Sequence, residues 1–314
     1  MDNKLTMRKF RDAVVNNQVI ELGDQRVNKG VLLSSAGGVL PPTSYREFLN
    51  DMISTSPILS VWNMVTVLRP QMELHSLTAA TRQFKVATPG TEIATGTVTP
   101  VERTLDPTRA VLVLDVSYDW LEDNADERDA DAVIRAYLAN LASWDLVDLA
   151  GNGDGSTGTF LSINSGFPVL AAADSNVNDY DGTNTTFLGA SGILASMRAV
   201  MPEQYLPGSA FFMARSEFET LVGELAARAT PLGDQVLRTG GPVMVDGHDC
   251  YGVYQWPVDK LILTQPKNLF VGMWHAIRVT AEDKPAASCI RYVVDMRFDF
   301  NHGVGKAMVY GTTD

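Results

Sequence analysis

The stretch VSYDWLEDNADERDADAVIRAYLANLASWDLVDLAGNGDG, residues 116–155, decides how the rest of the chain is interpreted. Asn124 with Glu127 three residues later has the form of a capping box, and the acidic residues around them suit the positive end of a helix dipole. The pattern predicts a helix over residues 125–149 that ends at the glycines of GNGDG. Apolar residues recur along it at helical spacing and predict one apolar stripe: Ala130, Ile134, Tyr137, Leu141 and Trp144.

A long hairpin is predicted before this helix. Residues 83–87 and 109–118 are rich in β-branched, aromatic and aliphatic residues, which favour strands. Between them lies TPGTEIATGTVTPVERTLDP, residues 88–107, which is dense in Thr, Gly and Pro. An isolated two-stranded ribbon is barely stable in water, and a connection of this length is uncommon inside a compact domain. We therefore expect another molecule to cover the hairpin.

The flanking segments predict a mixed fold. Residues 1–43 end in the loose run SSAGGVLPP, which predicts an arm rather than part of a core. Mixed helices and strands in this order predict an α+β fold. The further predicted elements are a helix at 44–54, a strand at 61–68, helices at 188–200 and 216–228, short strands between residues 243 and 280, and closing strands at 290–300 and 305–310.

The composition excludes several classes of protein. Hydrophobic residues make up 45% and charged residues 20% of the 314-residue chain, which excludes disorder as the main state. The longest apolar run, Ala110–Leu114, is far shorter than the ~20 residues that a transmembrane helix needs. The charged N-terminus and the absence of a CxxC pair predict a cytoplasmic protein. A formal net charge of −12 argues against sequence-specific DNA binding.

Motifs for catalysis, cofactors and metals give only weak matches. GDGSTG at 153–158 has the GxGxxG spacing, but it follows a helix rather than a strand, which favours a helix stop over a nucleotide site. Two alternations are similar to the start of a calcium loop, one of Asn152, Asp154 and Ser156 and one of Asp174, Asn176 and Asn178, yet neither has both the central glycine and the closing acidic ligand. The four histidines lack metal-ligand spacing. We predict no catalytic residue, no cofactor and no metal.

In this order of elements the chain resembles the major capsid proteins of tailed bacteriophages, which have the Hong Kong 97-type fold. The stretch at 116–155 is similar to the spine helix of that family with its glycine-rich end. SGILASMRAVMPEQYLPGSAFFMARSEFETL, residues 191–221, is similar to the helix, strand and helix of its axial (A) domain. RYVVDMRFDFNHGVGKAMVY, residues 291–310, is similar to the closing strands of its peripheral (P) domain.

The resemblance implies a non-enzymatic major capsid protein. Such a protein self-assembles into the hexamers and pentamers of an icosahedral shell, and it encloses double-stranded DNA that it contacts non-specifically. The implied partners are a portal, decoration proteins and either a separate scaffolding protein or none, with no membrane. The implied location is the virion capsid, after synthesis in the host bacterial cytoplasm. The implied domains are an N-terminal arm (1–43), the start of the P domain (44–77), the E-loop hairpin (78–118), the P domain with its spine helix (119–190), the A domain (191–275) and closing P-domain strands (276–314).

Charged residues of the predicted hairpin are candidates for ion pairs between subunits: Arg82, Glu92, Arg103 and Arg109. The alternative is that they are solvated charges, worth about 0–1 kcal/mol each. Some members of that family join their subunits through a hairpin lysine. Residues 86–118 contain no lysine and Lys85 lies at the predicted base, so we expect a shell without cross-links. An encapsulin-like bacterial compartment and a soluble α+β enzyme are the alternative functions.

Overall fold

The computed structural model describes residues 20–22, 25–27, 42–79, 98–123, 130–156, 159–182, 184, 186–189, 191–227, 243–274 and 277–313. The helices in these ranges are α1 (Pro42–Thr55), α2 (Ile58–Val61), α3 (Tyr118–Asp123), α4 (Ala130–Asn152), α5 (Phe167–Ala173), α6 (Ile193–Val200) and α7 (Arg215–Ala226). The strands are β1 (Ile20–Leu22), β2 (Gln25–Val27), β3 (Asn63–Val67), β4 (Met72–Ala79), β5 (Val98–Leu105), β6 (Thr108–Ser117), β7 (Asn178–Gly182), β8 (Ala210–Ala214), β9 (Val243–Val245), β10 (His248–Val253), β11 (Lys260–Thr264), β12 (Leu269–Trp274), β13 (Arg278–Lys284), β14 (Cys289–His302) and β15 (Met308–Thr313).

A six-stranded mixed sheet has the strand order β7-β15-β11-β8-β10-β9. Successive side chains of a strand point to opposite faces, so both faces of this sheet can be buried when its strands are apolar throughout. Phe211 and Met213 pack with α6 and α7, while Phe212 joins the main core that contains residues of α4 and α5. The sheet therefore lies between two helical layers.

The second large sheet is built around the long strand β14. It pairs antiparallel with β6, β13 and β12, and β3 adds to β12 in parallel. The even-numbered residues of β14, such as Tyr292, Val294 and Phe300, are buried in the main core. The odd-numbered residues lie on the opposite, more exposed face of the sheet. Together, the two sheets and their helices confirm the predicted α+β class.

The long helix α4 differs from its prediction in which face is buried. Ile134 is buried as expected, but Tyr137 and Trp144 are 50% and 51% exposed, and the core instead receives Leu138 and Leu146. The reason is that this helix carries apolar residues on more than one side, so periodicity alone does not select the buried stripe. The helix ends at Asn152, three residues beyond the predicted end, and residues 124–129 lie outside the described part of the chain.

The pairing of the predicted hairpin needs correction, while its first predicted strand, 83–87, lies outside the described residues. Strand β4 pairs antiparallel with β5, from Met72 opposite Leu105 to Ala79 opposite Val98. The predicted second strand, at 109–118, is β6, which pairs with β14 instead. Its alternating residues need a core to cover one face, and pairing with β14 at ten positions places β6 against that core, whereas a free two-stranded ribbon has no core. Residues 80–97, which connect β4 to β5, lie outside the described residues.

Lys85 falls between β4 and β5 in the sequence and lies outside the described residues. Its place at the hairpin base and the absence of covalent cross-links from the shell therefore stay predictions.

The sheet membership of three strands does not follow the predicted linear division into domains. Strand β12, placed in the predicted A domain, belongs to the sheet around β14. Strands β7 and β15, both placed in the predicted P domain, belong to the six-stranded sheet. The chain crosses between the two sheets more than once, and a linear division of the sequence cannot represent that. Of the predicted arm, the described part includes the short pair β1 and β2.

None of the helices in the described ranges is long and apolar enough to cross a membrane.

The end of α4 generates the first prediction. A Cβ at Gly153 would lie 2.3 Å from the Asn164 carbonyl oxygen and 2.5 Å from that of Leu149, so Gly153→Ala requires the backbone to shift. We expect this variant to lose ~1–3 kcal/mol of unfolding free energy, the usual cost of overpacking. Gly223→Ala in α7 is the control, since no atom lies within 4 Å of the added carbon. It should gain ~0.5–1 kcal/mol. Urea unfolding checks both, and equal stabilities would contradict the expectation.

Candidate inter-subunit surface

The hairpin of β4 and β5 is covered at its root on one face only. Side chains alternate between half-buried or buried positions and exposed ones along the described part of both strands. Ser76 and Leu105 are buried, whereas Glu73, His75 and Glu102 form a polar, exposed cluster on the other face. A two-stranded ribbon supplies no second layer of its own, so the outer face is available to another molecule.

Three consecutive residues attach the hairpin root to β12 and β14. The Thr104 carbonyl accepts a hydrogen bond from Asn301 Nδ2 at 2.8 Å. Leu105 is buried against Gly272 of β12. A Cβ added at Gly272 would lie 3.1 Å from Leu105 Cδ1, so the glycine leaves room for the leucine side chain. The Asp106 N–H donates to Asp299 Oδ2 at 2.7 Å. The root is therefore a fixed part of the subunit.

The four predicted inter-subunit residues have different positions. Arg82 and Glu92 lie outside the described residues. The Arg103 side chain is only 9% exposed and forms an ion pair with Asp174 of its own chain. Arg109 is exposed and bonds through Nε to both carboxylate oxygens of Asp295, at 3.0 Å each, also within the chain. The structure thus corrects the assignment of Arg103, which is buried inside the subunit, and it gives Arg109 an internal partner.

The outer face of β6 presents an apolar strip between two ion pairs. Val111 and Val113 are 49% and 53% exposed. The Arg109–Asp295 pair lies on one side of them and the Arg291–Asp115 pair, with contacts of 2.7 Å, on the other. The hydrogen bond from Arg291 lowers the pKa of Asp115. Because these charges are matched within the subunit, the apolar strip can be covered without leaving an unpaired charge.

A second exposed apolar surface runs along α4. Trp144 packs against Tyr254 with ring centroids 5.4 Å apart, and Tyr254 is 73% exposed. Closer to the N-terminal end of α4, Tyr137 borders a cavity of about 290 Å³ next to β6. Trp120 of α3 lines the same cavity. Trp120, Tyr137, Trp144 and Tyr254 are all exposed, and neighbouring exposed aromatic side chains are typical of surfaces that bind other proteins. The apolar residues all round α4 were the sequence signal for this surface, but the prediction assigned them to the core.

The weak motifs have structural explanations. Asp154 accepts hydrogen bonds from Ser156 N and Oγ at 2.9 and 2.7 Å, which is a local turn after the helix. Asp174 bonds to Asn176 and to distant residues of its own chain. Among the residues that the structure describes, no three His, Cys, Asp or Glu side chains are grouped to hold a metal ion.

Asp299 at the hairpin root has an unusual pKa. Burial raises the pKa of this carboxyl from 3.8 to about 6, although hydrogen bonds from the Asp106 and Phe300 N–H groups act in the opposite direction. The folded protein therefore holds a proton between about pH 4 and 6 that the unfolded chain has released. Stability should fall as the pH rises through this window.

Asp299→Asn tests that pH dependence. We expect the free energy of unfolding of the natural protein, relative to the variant, to fall by about 2–3 kcal/mol between pH 4 and pH 7, since each unit of pKa shift is worth about 1.4 kcal/mol. Urea unfolding of both proteins at several pH values measures this difference. Parallel pH profiles would contradict the raised pKa.

Comparisons with known proteins agree on one fold. No family model matches the chain. A candidate prophage capsid protein of Bacillus subtilis (strain 168), YqbE, is 22% identical over 283 residues, which cover 82% of this chain and 87% of that protein. A chain of the satellite phage P4 procapsid, whose structure includes the size determination (Sid) protein, aligns with a TM-score of 0.64 and 14% identity over 98% of this chain and 97% of its own.

Two further solved structures align over most of their length. The capsid of a native GTA particle gives a TM-score of 0.63 and 13% identity, covering 82% of this chain and 90% of that one. A chain of Mycobacterium phage Cain gives 0.55 and 15%, with the same coverages. The chain therefore has the fold of tailed-phage capsid proteins, the Hong Kong 97 type, as the resemblance in its sequence predicted.

Proposed function

We propose that this chain is a major capsid protein, which assembles with copies of itself into the hexamers and pentamers of an icosahedral phage shell around double-stranded DNA. The observation that carries the proposal is the hairpin: its root is fixed to β12 and β14, while Glu73, His75 and Glu102 leave its outer face exposed. In a closed shell, symmetry gives every copy a neighbour at the same place, so one such contact repeats over the whole assembly.

The exposed apolar surfaces support the same function. The strip at Val111 and Val113 and the aromatic surface around Trp144 and Tyr254 lie on different elements, β6 and α4. A subunit inside a shell needs contacts in several directions, and separate surfaces provide them. A soluble enzyme would instead require a pocket with converging polar groups.

The charge of the chain fits a container for DNA. With a formal net charge of −12, the chain lacks the basic excess that binds phosphates tightly, so DNA could move in and out of the shell. The DNA contacts are then non-specific. The protein is not an enzyme, its location is the virion capsid after synthesis in the host cytoplasm, and its partners include a separate scaffolding protein, a portal and decoration proteins.

Electron microscopy of the purified chain tests the proposal. Negatively stained samples should show closed shells or flat hexamers, and sedimentation should show species far heavier than a monomer. Shells isolated from infected or induced host cells should contain double-stranded DNA; cargo enzymes in their place would indicate an encapsulin-like compartment. A discrete small oligomer at high protein concentration would contradict the shell function altogether.

Shortening the hairpin is the matching variant. Ala79 and Val98 are directly paired, so an Asn-Gly turn can replace residues 80–97 and close the ribbon without moving its root. We expect a soluble subunit with unchanged circular dichroism and thermal stability that no longer forms shells, because the part reaching a neighbour is gone. Shells of normal size and yield would show that the hairpin connection has no role in assembly.

A further inference from the structure

A buried cluster of polar side chains joins the hairpin root to distant parts of the subunit. Arg103 of β5 forms an ion pair with Asp174, which follows α5, and its Nη1 donates to the Gly303 carbonyl oxygen at 2.8 Å. The same nitrogen contacts Ser76 Oγ of β4 at 3.3 Å, so both hairpin strands take part. The side chains of Arg103 and Asp174 are only 9% and 17% exposed.

The Asp174 carboxylate is fully bonded. One oxygen, Oδ2, accepts from Arg103 and from His302 Nε2, the latter at 2.9 Å. The other, Oδ1, accepts from Asn176 N at 2.8 Å and from Asn176 Nδ2 at 2.9 Å. Burial raises the pKa of Asp174, but the hydrogen bonds from Arg103, Asn176 and His302 outweigh it and hold that pKa well below its usual value. The carboxylate is therefore a fixed negative charge that matches Arg103.

His302 completes the cluster as a neutral group. Burial lowers its pKa; the hydrogen bond with Asp174 opposes this shift and the charge of Arg103 adds to it. Its Nε2–H donates to Asp174, while Nδ1 is buried and has no hydrogen-bond partner among the described atoms. The cluster thus contains one positive charge, on Arg103, and one negative charge, on Asp174. Protonation of His302 would add a second positive charge that no carboxylate of the cluster matches.

The fold also makes room for the guanidinium group. A Cβ at Gly305 would lie 2.9 Å from Arg103 Nη2 and 3.0 Å from Asn176 Cβ, so glycine at this position leaves the space that the arginine occupies. Residues 303–307 are the crossing from β14 to β15, where the chain passes from one large sheet to the other. Arg103 therefore reaches the junction of the two sheets.

These contacts differ from the other attachments of the root. Thr104 and Asp106 bond to residues of β14, and Leu105 between them packs on Gly272 of β12, so these three attachments hold the ribbon only at its base. Arg103 adds an attachment away from β14, at Asp174. This attachment is made to a different part of the subunit and also includes β4 through Ser76, so it limits the tilt of the ribbon about its base.

We propose that the Arg103–Asp174 pair is a clamp that fixes the direction in which the hairpin leaves the subunit, and thereby places its far end on the neighbouring copy. Arg103 is a positioning residue in this scheme, and the part of the claim that concerns assembly rests on the proposed shell function. Replacing Arg103 by an uncharged residue would free the hairpin to pivot.

A distance measurement between two spin labels tests the direction of the hairpin without requiring a shell. Thr99→Cys in β5 and Glu219→Cys in α7 place the labels, and the natural Cys250 and Cys289 are both buried. In the otherwise unchanged chain we expect one narrow distance distribution. With Arg103→Met, the distribution should broaden or shift, and the yield of shells should fall at least tenfold at equal protein concentration.

Two more variants keep this test decisive. Arg103→Met alone leaves a buried, unmatched carboxylate and could unfold the subunit, so Arg103→Met with Asp174→Asn removes both charges together. Arg198→Met is the control, because it removes another intrachain Arg–Asp pair, which joins α6 to Asp246 between β9 and β10 rather than to the hairpin. It should change neither the distances nor the shell yield.

The outcomes separate the two levels of the proposal. A folded double variant with the natural distance distribution would overturn the clamp. A shifted distribution with normal shell yield would overturn its role in assembly. If the unmodified chain forms no shells, the proposed function fails, while the distance comparison still decides whether the clamp exists.

Discussion

A two-stranded ribbon has no second layer, and this constraint organises the structure. The hairpin of β4 and β5 can bury one face at its root, where Leu105 packs over Gly272, but it has no further strands of its own to extend that cover. The subunit meets the constraint by fixing the root tightly and leaving the outer face for a neighbour. The hairpin is therefore held firmly at its root, and under the proposed shell function a neighbouring copy covers its exposed outer face.

The surfaces of the subunit follow the same logic. On β6, ion pairs within the chain match the charges on either side of Val111 and Val113, so a neighbour can cover the apolar strip at little electrostatic cost. On α4, one side builds the core through Leu138 and Leu146, and another side presents Tyr137 and Trp144. One helix thus serves both the interior of its own subunit and a contact surface.

Local patterns in the sequence predicted the α+β class, the long helix, its glycine stop and most strands. They failed wherever the answer depended on distant partners. The alternation in β6 indicated a strand but not its pairing with β14, and β5 was missed because Pro100 and its threonines have the composition of a loop. The role of Arg103 could not be predicted either, because Asp174 and Gly303 are remote in sequence and come close only through the fold. Arg82 and Glu92 stay predictions.

The pairing of β3 with β12 joins segments about 200 residues apart, and β6 meets β14 over a comparable separation. Ordering that much intervening chain has an entropic cost that is not recovered until the strands meet, so such topologies fold slowly compared with helical bundles. A newly synthesised subunit accordingly spends time with β-rich apolar segments unpaired, the state in which chains aggregate most readily. For the proposed shell function, the rate of folding, as well as the affinity between finished subunits, would then limit how many copies become available for assembly.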